Sequence, residues 1–187
     1  MSMILQNDYP AANPVGYSGQ LVGATTQHDI ITARNAEVSA SIAFGRAVVW
    51  KLSSPTTDYD VLLPAAETDT VAGIVIHLLN YSRTFSSTDY AGVSQTYGDL
   101  DGTGLRPGVL MAILRRGTIL VTVEDAVLVG DRLWVRAVAG ADPEFLGGLL
   151  NADDSTDTID CTKQGQFLTS AAAGGLAQLY VDFNNKP

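Results

Sequence analysis

The sequence predicts an all-β domain, a sandwich or a barrel. Three observations lead there. Short runs rich in β-branched and aromatic residues recur along the chain. Gly, Asp and Pro separate them at the spacing of roughly 8–12 residues expected of such folds. No longer window shows a convincing helical period, so the crossover helices of a parallel doubly wound sheet are missing. The 187 residues suit one domain with a core of useful size.

The elements follow in order. Residues 1–20 read as an extended N-terminal arm: Tyr9, Pro10, Pro14, Gly16, Tyr17 and Gly19 give neither period, and each Pro biases the residue before it to extended geometry. Two Tyr and few charges give the arm the composition of an interface. Residues 21–187 read as a single β domain. From Ile30 strand follows strand: 44–51 (FGRAVVWK), 59–63 ended by Pro64, and 71–81 (VAGIVIHLLNY), where Gly73 marks a bulge or a close approach. Residues 82–108 break the rhythm, a long, polar, Gly/Ser/Thr-rich insertion loop of the length that is usually functional or mobile. Residues 109–114 and 118–123 read as two strands with Arg116-Gly117 as a tight turn between them. Residues 133–138 and 145–150 are further strands. Residues 151–166 read as an acidic loop around Asp153, Asp154, Asp157 and Asp160, and 176–183 (LAQLYVDF) closes the series.

Charge excludes several partners. The net charge is -9, from 20 acidic against 11 basic residues. A nucleic-acid binder needs a basic face, and the sequence offers only the pair Arg115-Arg116, so no nucleic acid is expected. No stretch approaches the roughly 20 apolar residues of a membrane span, so no membrane is expected either. The start carries no basic region followed by an apolar run, so no secretory signal is expected.

Catalytic and metal chemistry find little support. Cys161 is the single cysteine, which excludes an intrachain disulfide and a cysteine-based zinc site, and no local His activates it. His28 and His77 lie in different segments, and no Gly-x-Ser-x-Gly elbow occurs. Asp99-Leu100-Asp101-Gly102-Thr103-Gly104 has the look of a calcium loop. With Gly102 in the sixth position, however, Tyr97 falls first and Gly108 twelfth, where Asp and Glu belong. Phosphate-binding glycine loops are absent. The expectation is a protein without enzyme activity, cofactor or metal.

Several phrases in order resemble one family. Tyr9-Pro10, Gly19-Gln20-Leu21-Val22 and Ile42-Ala43-Phe44-Gly45-Arg46-Ala47-Val48-Val49 open it. Val71-Ala72-Gly73-Ile74-Val75-Ile76 follows. Pro107-Gly108-Val109 then leads to Arg116-Gly117-Thr118-Ile119-Leu120-Val121-Thr122-Val123. Val127-Leu128-Val129-Gly130-Asp131-Arg132-Leu133-Trp134-Val135 comes next. Phe167-Leu168-Thr169 and Gly175-Leu176-Ala177-Gln178-Leu179-Tyr180-Val181 close the set. Together they resemble the structural cement, or capsid decoration, proteins of tailed bacteriophages. Ala43 stands where Pro is common, and the insertion at 82–106 is longer than the family leads one to expect.

The resemblance implies a jelly-roll-like β-sandwich or barrel and a non-enzymatic role. It implies small oligomers on the outer surface of the capsid that clamp neighbouring major capsid protein subunits against internal DNA pressure. The partners are then the major capsid protein and the chain itself, as a homotrimer in preference to a dimer. Candidate contact residues are Tyr9, Pro10, Tyr17, Phe85, Tyr90 and Tyr97 as aromatic anchors. Arg83, Arg106, Arg115 and Arg116 are candidates for pairing with acidic capsid residues. The alternatives are another virion component, such as a tail or fibre adaptor, and a carbohydrate-binding jelly-roll module.

Overall fold

A computed structural model describes residues 16–23, 28–51, 59–77, 85–88, 94–97, 104–138 and 146–184. Its strands are β1 (Leu21–Val22), β2 (Asp29–Asn35), β3 (Ala47–Trp50), β4 (Asp60–Leu62), β5 (Val71–Val75), β6 (Phe85–Thr88) and β7 (Ser94–Tyr97). They continue with β8 (Leu110–Thr122), β9 (Arg132–Arg136), β10 (Leu149–Leu150), β11 (Thr158–Phe167) and β12 (Leu176–Asp182). Among the described residues the one helical piece is a 3-10 turn at Ser155–Asp157. The all-β, jelly-roll-like expectation is met.

Strand β8 organises the fold. Its first half pairs with β2 over Ile30–Arg34 and with β5 at Ile74 and Val75. The path β8-β2-β4-β3-β5 therefore returns to β8 and closes a barrel. Its second half pairs with β1 at Leu21 and Val22 and with β12 over Leu176–Asp182. From β12 the sheet runs outward through β11 and β9 to β10. An isolated bridge, Val123 to Leu149, brings its far edge back to the end of β8. β6 and β7 pair with each other as a separate hairpin.

Two cores lie on opposite faces of the shared strands. Ala33, Val48, Val61, Ala72, Val75, Met111 and Ile113 belong to one. Alternate residues of β3, β5 and β8, namely Ala47, Val49, Ile74, Ala112 and Leu114, belong to the other. That second core continues through Ile119, Val121, Leu133, Val135, Phe167, Leu179 and Val181. Because successive side chains point to opposite faces, a strand with a core on each face reads as a continuous apolar run. This is why 71–76 and 110–114 lack alternation.

The structure corrects two expectations. Residues 109–114 and 118–123 are not two strands around a tight turn at Arg116-Gly117. They are the single strand β8. The reason is continuity of pairing: β2 registers Asp29 with Arg116, and β12 registers Asp182 with the same Arg116. Gly117 marks the handover between partners, with φ of 138°, and a Cβ there would run into the His28 ring.

Residues 151–166 are not a loop throughout. From Thr158 onward they form β11. Its buried Ile159, Cys161, Gly165 and Phe167 are interleaved with polar outward residues, and a register shift between Cys161 and Gln166 blurs the alternation further. Gly73, read as a bulge or a close approach, meets both: the β3–β5 register shifts between Val48, opposite Gly73, and Val49, opposite Val71, and a Cβ at Gly73 would press on the Leu114 carbonyl.

Candidate interaction surfaces

The sequence-predicted contact residues fall in three places. Tyr9, Pro10, Arg83 and Tyr90 lie outside the described residues, as do Asp99 and Asp101 of the calcium-like loop. Phe85 and Tyr97 are register partners that open and close the β6–β7 hairpin. Tyr17, Arg106, Arg115 and Arg116 lie on the body of the domain.

Tyr17 is 43% exposed, and its ring meets His77 edge-on at 4.6 Å. Phe44 meets the same imidazole at 4.4 Å. The backbone fastens this corner. The Gly19 N–H donates to the Leu120 carbonyl at 2.8 Å, and the His77 N–H donates to the Gly19 carbonyl at 2.9 Å. The Ser18 hydroxyl donates to the Phe44 carbonyl and accepts from the Thr122 N–H. Residues 17–20 are thus stitched to both halves of the fold.

Arg115 and Arg116 come together with groups from both ends of the chain. Arg116 Nε lies 3.6 Å from Asp182 Oδ2. A hydrogen bond with Tyr180 is the main cause that raises its pKa, with Asp182 and Asp29 adding to it. Asn184 Nδ2 donates to Asp29 Oδ2 at 2.6 Å. Arg115 donates to the Phe183 carbonyl at 3.4 Å, and Phe183 returns a 2.8 Å backbone bond to the Arg115 carbonyl. Both arginines tie the β2–β8–β12 junction internally. Arg106 is half-buried, and its carbonyl accepts the Val109 N–H.

A second ionic group joins the two parts of the fold. Arg136 is 2% exposed and reaches Glu124 at 3.3 Å and Asp154 at 2.6 Å. Glu124 also meets Arg46 at 3.2 Å. Elsewhere, Arg34 holds Asp60 through two parallel bonds of 2.8 and 2.7 Å, the strong bidentate arrangement of a guanidinium and a carboxylate. Cys161 is buried, and desolvation with Asp160 nearby pushes its thiol up to about 12. Among the described residues no group of three or more His, Cys, Asp or Glu could hold a metal ion.

Sequence reasoning missed one surface, the turn between β8 and β9. Leu128 and Val129 are 67% and 68% exposed there, although turn positions usually carry polar residues. The turn is held firmly. Asp131 Oδ2 accepts the Leu128 N–H at 2.8 Å and Asn151 Nδ2 at 2.7 Å. These bonds, Asn151 first, keep the Asp131 carboxyl below its ordinary pKa. Gly130 donates to the Phe167 carbonyl, Phe167 donates to the Asp131 carbonyl, and Gln166 Nε2 donates to the Gly130 carbonyl. Leu168, the next residue along, is also exposed. The available signal was the pair Leu128-Val129 set between Asp125 and Gly130-Asp131, apolar residues where the flanks say turn.

The comparisons with known proteins agree with this architecture. A family model described as structural cement protein (E217 gp24/Pam3 gp6) matches residues 5–182. Among solved structures, a chain from the capsid of Myoviridae phage XM1 is similar, with a TM-score of 0.62 and 16% identity. The alignment covers 96% of this chain and 98% of that one. No curated protein matches.

Proposed function

The chain belongs to the structural cement protein family, and we propose on that premise that it decorates the outer surface of a phage capsid and clamps neighbouring major capsid subunits. Its role is structural and capsid-associated. The observation that carries the reading is the family match, which spans residues 5–182 and so takes in both parts of the fold.

Physical chemistry supports the finer reading. A clamp needs contact area and rigidity, and it needs no reaction centre. A protein that binds the assembled lattice and not its separated subunits stabilises the lattice by mass action. Copies that touch several subunits, or that are linked in a closed homotrimer, gain further through effective concentration. The net charge of -9 suits an outward-facing position away from packaged DNA. The arm, with Tyr9 and Pro10, and the insertion carrying Arg83, Phe85, Tyr90 and Tyr97 are the proposed points of contact with the shell. Tyr17 and Arg106 supply further contacts beside them.

Copy number tests this reading. Quantitative mass spectrometry of purified virions is expected to give hundreds of copies, in simple ratio to the major capsid protein. A small ring-like number would make the protein a tail or fibre adaptor. Absence from the virion would overturn the reading altogether.

A further inference from the structure

We propose that the chain's two histidines form a pH-controlled latch, which holds residues 17–22 on the domain at neutral pH and lets them go under mild acid. The latch belongs to the free chain and does not depend on the capsid reading above. It governs how the N-terminal arm is attached to its own domain, because residues 17–22 carry the chain from the arm into β1.

Three observations carry it. First, both histidines of the sequence fasten this one segment, one at each end. At its start the Tyr17 ring meets the His77 imidazole at 4.6 Å, and Phe44 meets the same imidazole at 4.4 Å. At its end His28 Nε2 donates to the Val22 carbonyl at 3.0 Å.

Second, each imidazole keeps its Nδ1 buried with no hydrogen-bond partner. A neutral imidazole has one nitrogen that bears no proton. At His28 that nitrogen is Nδ1, since the carbonyl only accepts and Nε2 must hold the hydrogen. An imidazolium carries an N–H on both nitrogens. A buried donor with no acceptor is costly, and more so when charged. A ring that takes the second proton is therefore served only by turning out to water. His28 then gives up Val22, and His77 gives up Tyr17.

Third, the surroundings offer no free counter-charge among the described residues. Residues 21, 22 and 24–27 are uncharged. The His28 ring lies against Gly117 of β8, which follows the cations Arg115 and Arg116. The carboxylates on that side are engaged. Asp29 of β2 accepts from Asn184 at 2.6 Å, and Asp182 of β12 lies 3.6 Å from Arg116, which Tyr180 also meets. Around His77 the two rings are uncharged, and so are residues 78–82 and the β8 stretch 110–114. Arg46, beyond Phe44, is paired with Glu124. The closed segment thus binds fewer protons than the open one, so opening grows as the pH falls through the interval in which histidine titrates.

Amide hydrogen exchange of the full-length protein tests the latch. Two backbone bonds report on the segment: the Gly19 N–H donates to the Leu120 carbonyl, and the Leu120 N–H donates to the Gln20 carbonyl, both at 2.8 Å. Between about pH 7.5 and about pH 5, exchange at these amides, corrected for its intrinsic pH dependence, is expected to rise roughly tenfold or more. Amides of the β11–β12 pairing are expected to change less than about twofold.

The variant His28→Gln/His77→Phe does not titrate in this range. Gln keeps a donor for the Val22 carbonyl, and Phe keeps a ring between Tyr17 and Phe44. Its rise is expected to fall below about twofold. His28→Gln alone is expected to cut the rise at least roughly threefold, and it decides the matter if the double variant does not fold. No rise in wild type overturns the latch. So does a rise that His28→Gln leaves intact, or one that spreads equally to β11 and β12, which is general loosening by acid.

Discussion

Arg136 shows what a single buried charge does in this molecule. It comes from β9, and it reaches Glu124 beyond the end of β8 and Asp154 before the 3-10 turn. Removing one member of a buried ionic group leaves the others desolvated without compensation. Arg136→Met is therefore expected to lower the unfolding free energy by about 3 kcal/mol, read from urea denaturation. A loss under about 1 kcal/mol would mean that Glu124 is sufficiently served by Arg46 alone. Cys161 gives the opposite case, a reactive group made inert. Its thiol, raised to about 12 by burial and by Asp160, remains protonated at pH 8, and the thiolate is the nucleophile. Iodoacetamide at pH 8 is expected to leave native protein unlabelled and to label it fully in urea. Fast labelling of folded protein would mean that β11 opens locally. The sequence showed that Cys161 had no local partner. It could not show the burial, because that depends on β9 and β12 lying to either side of β11.

At the scale of elements, β8 decides the architecture and Gly117 decides β8. A residue with a Cβ at φ of 138° is strained, and here the added carbon would also strike the His28 ring. Gly117→Ala is expected to destabilise by about 2 kcal/mol or more. The disturbance should appear on both sides of the handover, as faster amide exchange in β2 and β12 together. Exchange confined to one of them would show that the two sheets do not depend on a common strand.

The β8–β9 turn has its own pH signature. Asp131 has a depressed pKa in the folded state, so its stabilising effect is complete above the unfolded value. That effect is lost as the pH falls through the folded value. The urea midpoints of wild type and Asp131→Asn are therefore expected to differ at pH 7 and to converge once the pH has fallen through the depressed folded value, below the ordinary carboxylate range. A gap that persists there would assign the effect to the amide itself.

Most strands were legible because each carries β-branched or aromatic runs bounded by turn residues. β11 was not, since polar Asp160, Gln164 and Gln166 share it with the buried positions. The Arg116-Gly117 pair misled for a physical reason. Glycine with positive φ serves a turn and a mid-strand handover equally well, and only the pairing partners distinguish them. The apolar β8–β9 turn was invisible as a surface because the exposure of Leu128 and Val129 depends on a turn whose fastenings come from Asn151 and Gln166.

The described residues form a β body with two cores and a shared central strand, and the chain carries an excess of negative charge. If it clamps a shell, its effect must scale with occupancy. At a free concentration a hundredfold above Kd, each site adds about 2.7 kcal/mol to the bound lattice, and no further contact within the chain is required. Particles stripped of the protein are therefore expected to release DNA at a lower temperature than decorated ones. Adding the purified protein back should restore the release temperature along a saturating curve whose midpoint matches the binding Kd. Restoration that tracks occupancy requires the bound copies to hold subunits together. Full occupancy with no change in release temperature would make the protein a decoration that covers the lattice without bearing load, and the clamp, though not the binding, would have to be abandoned.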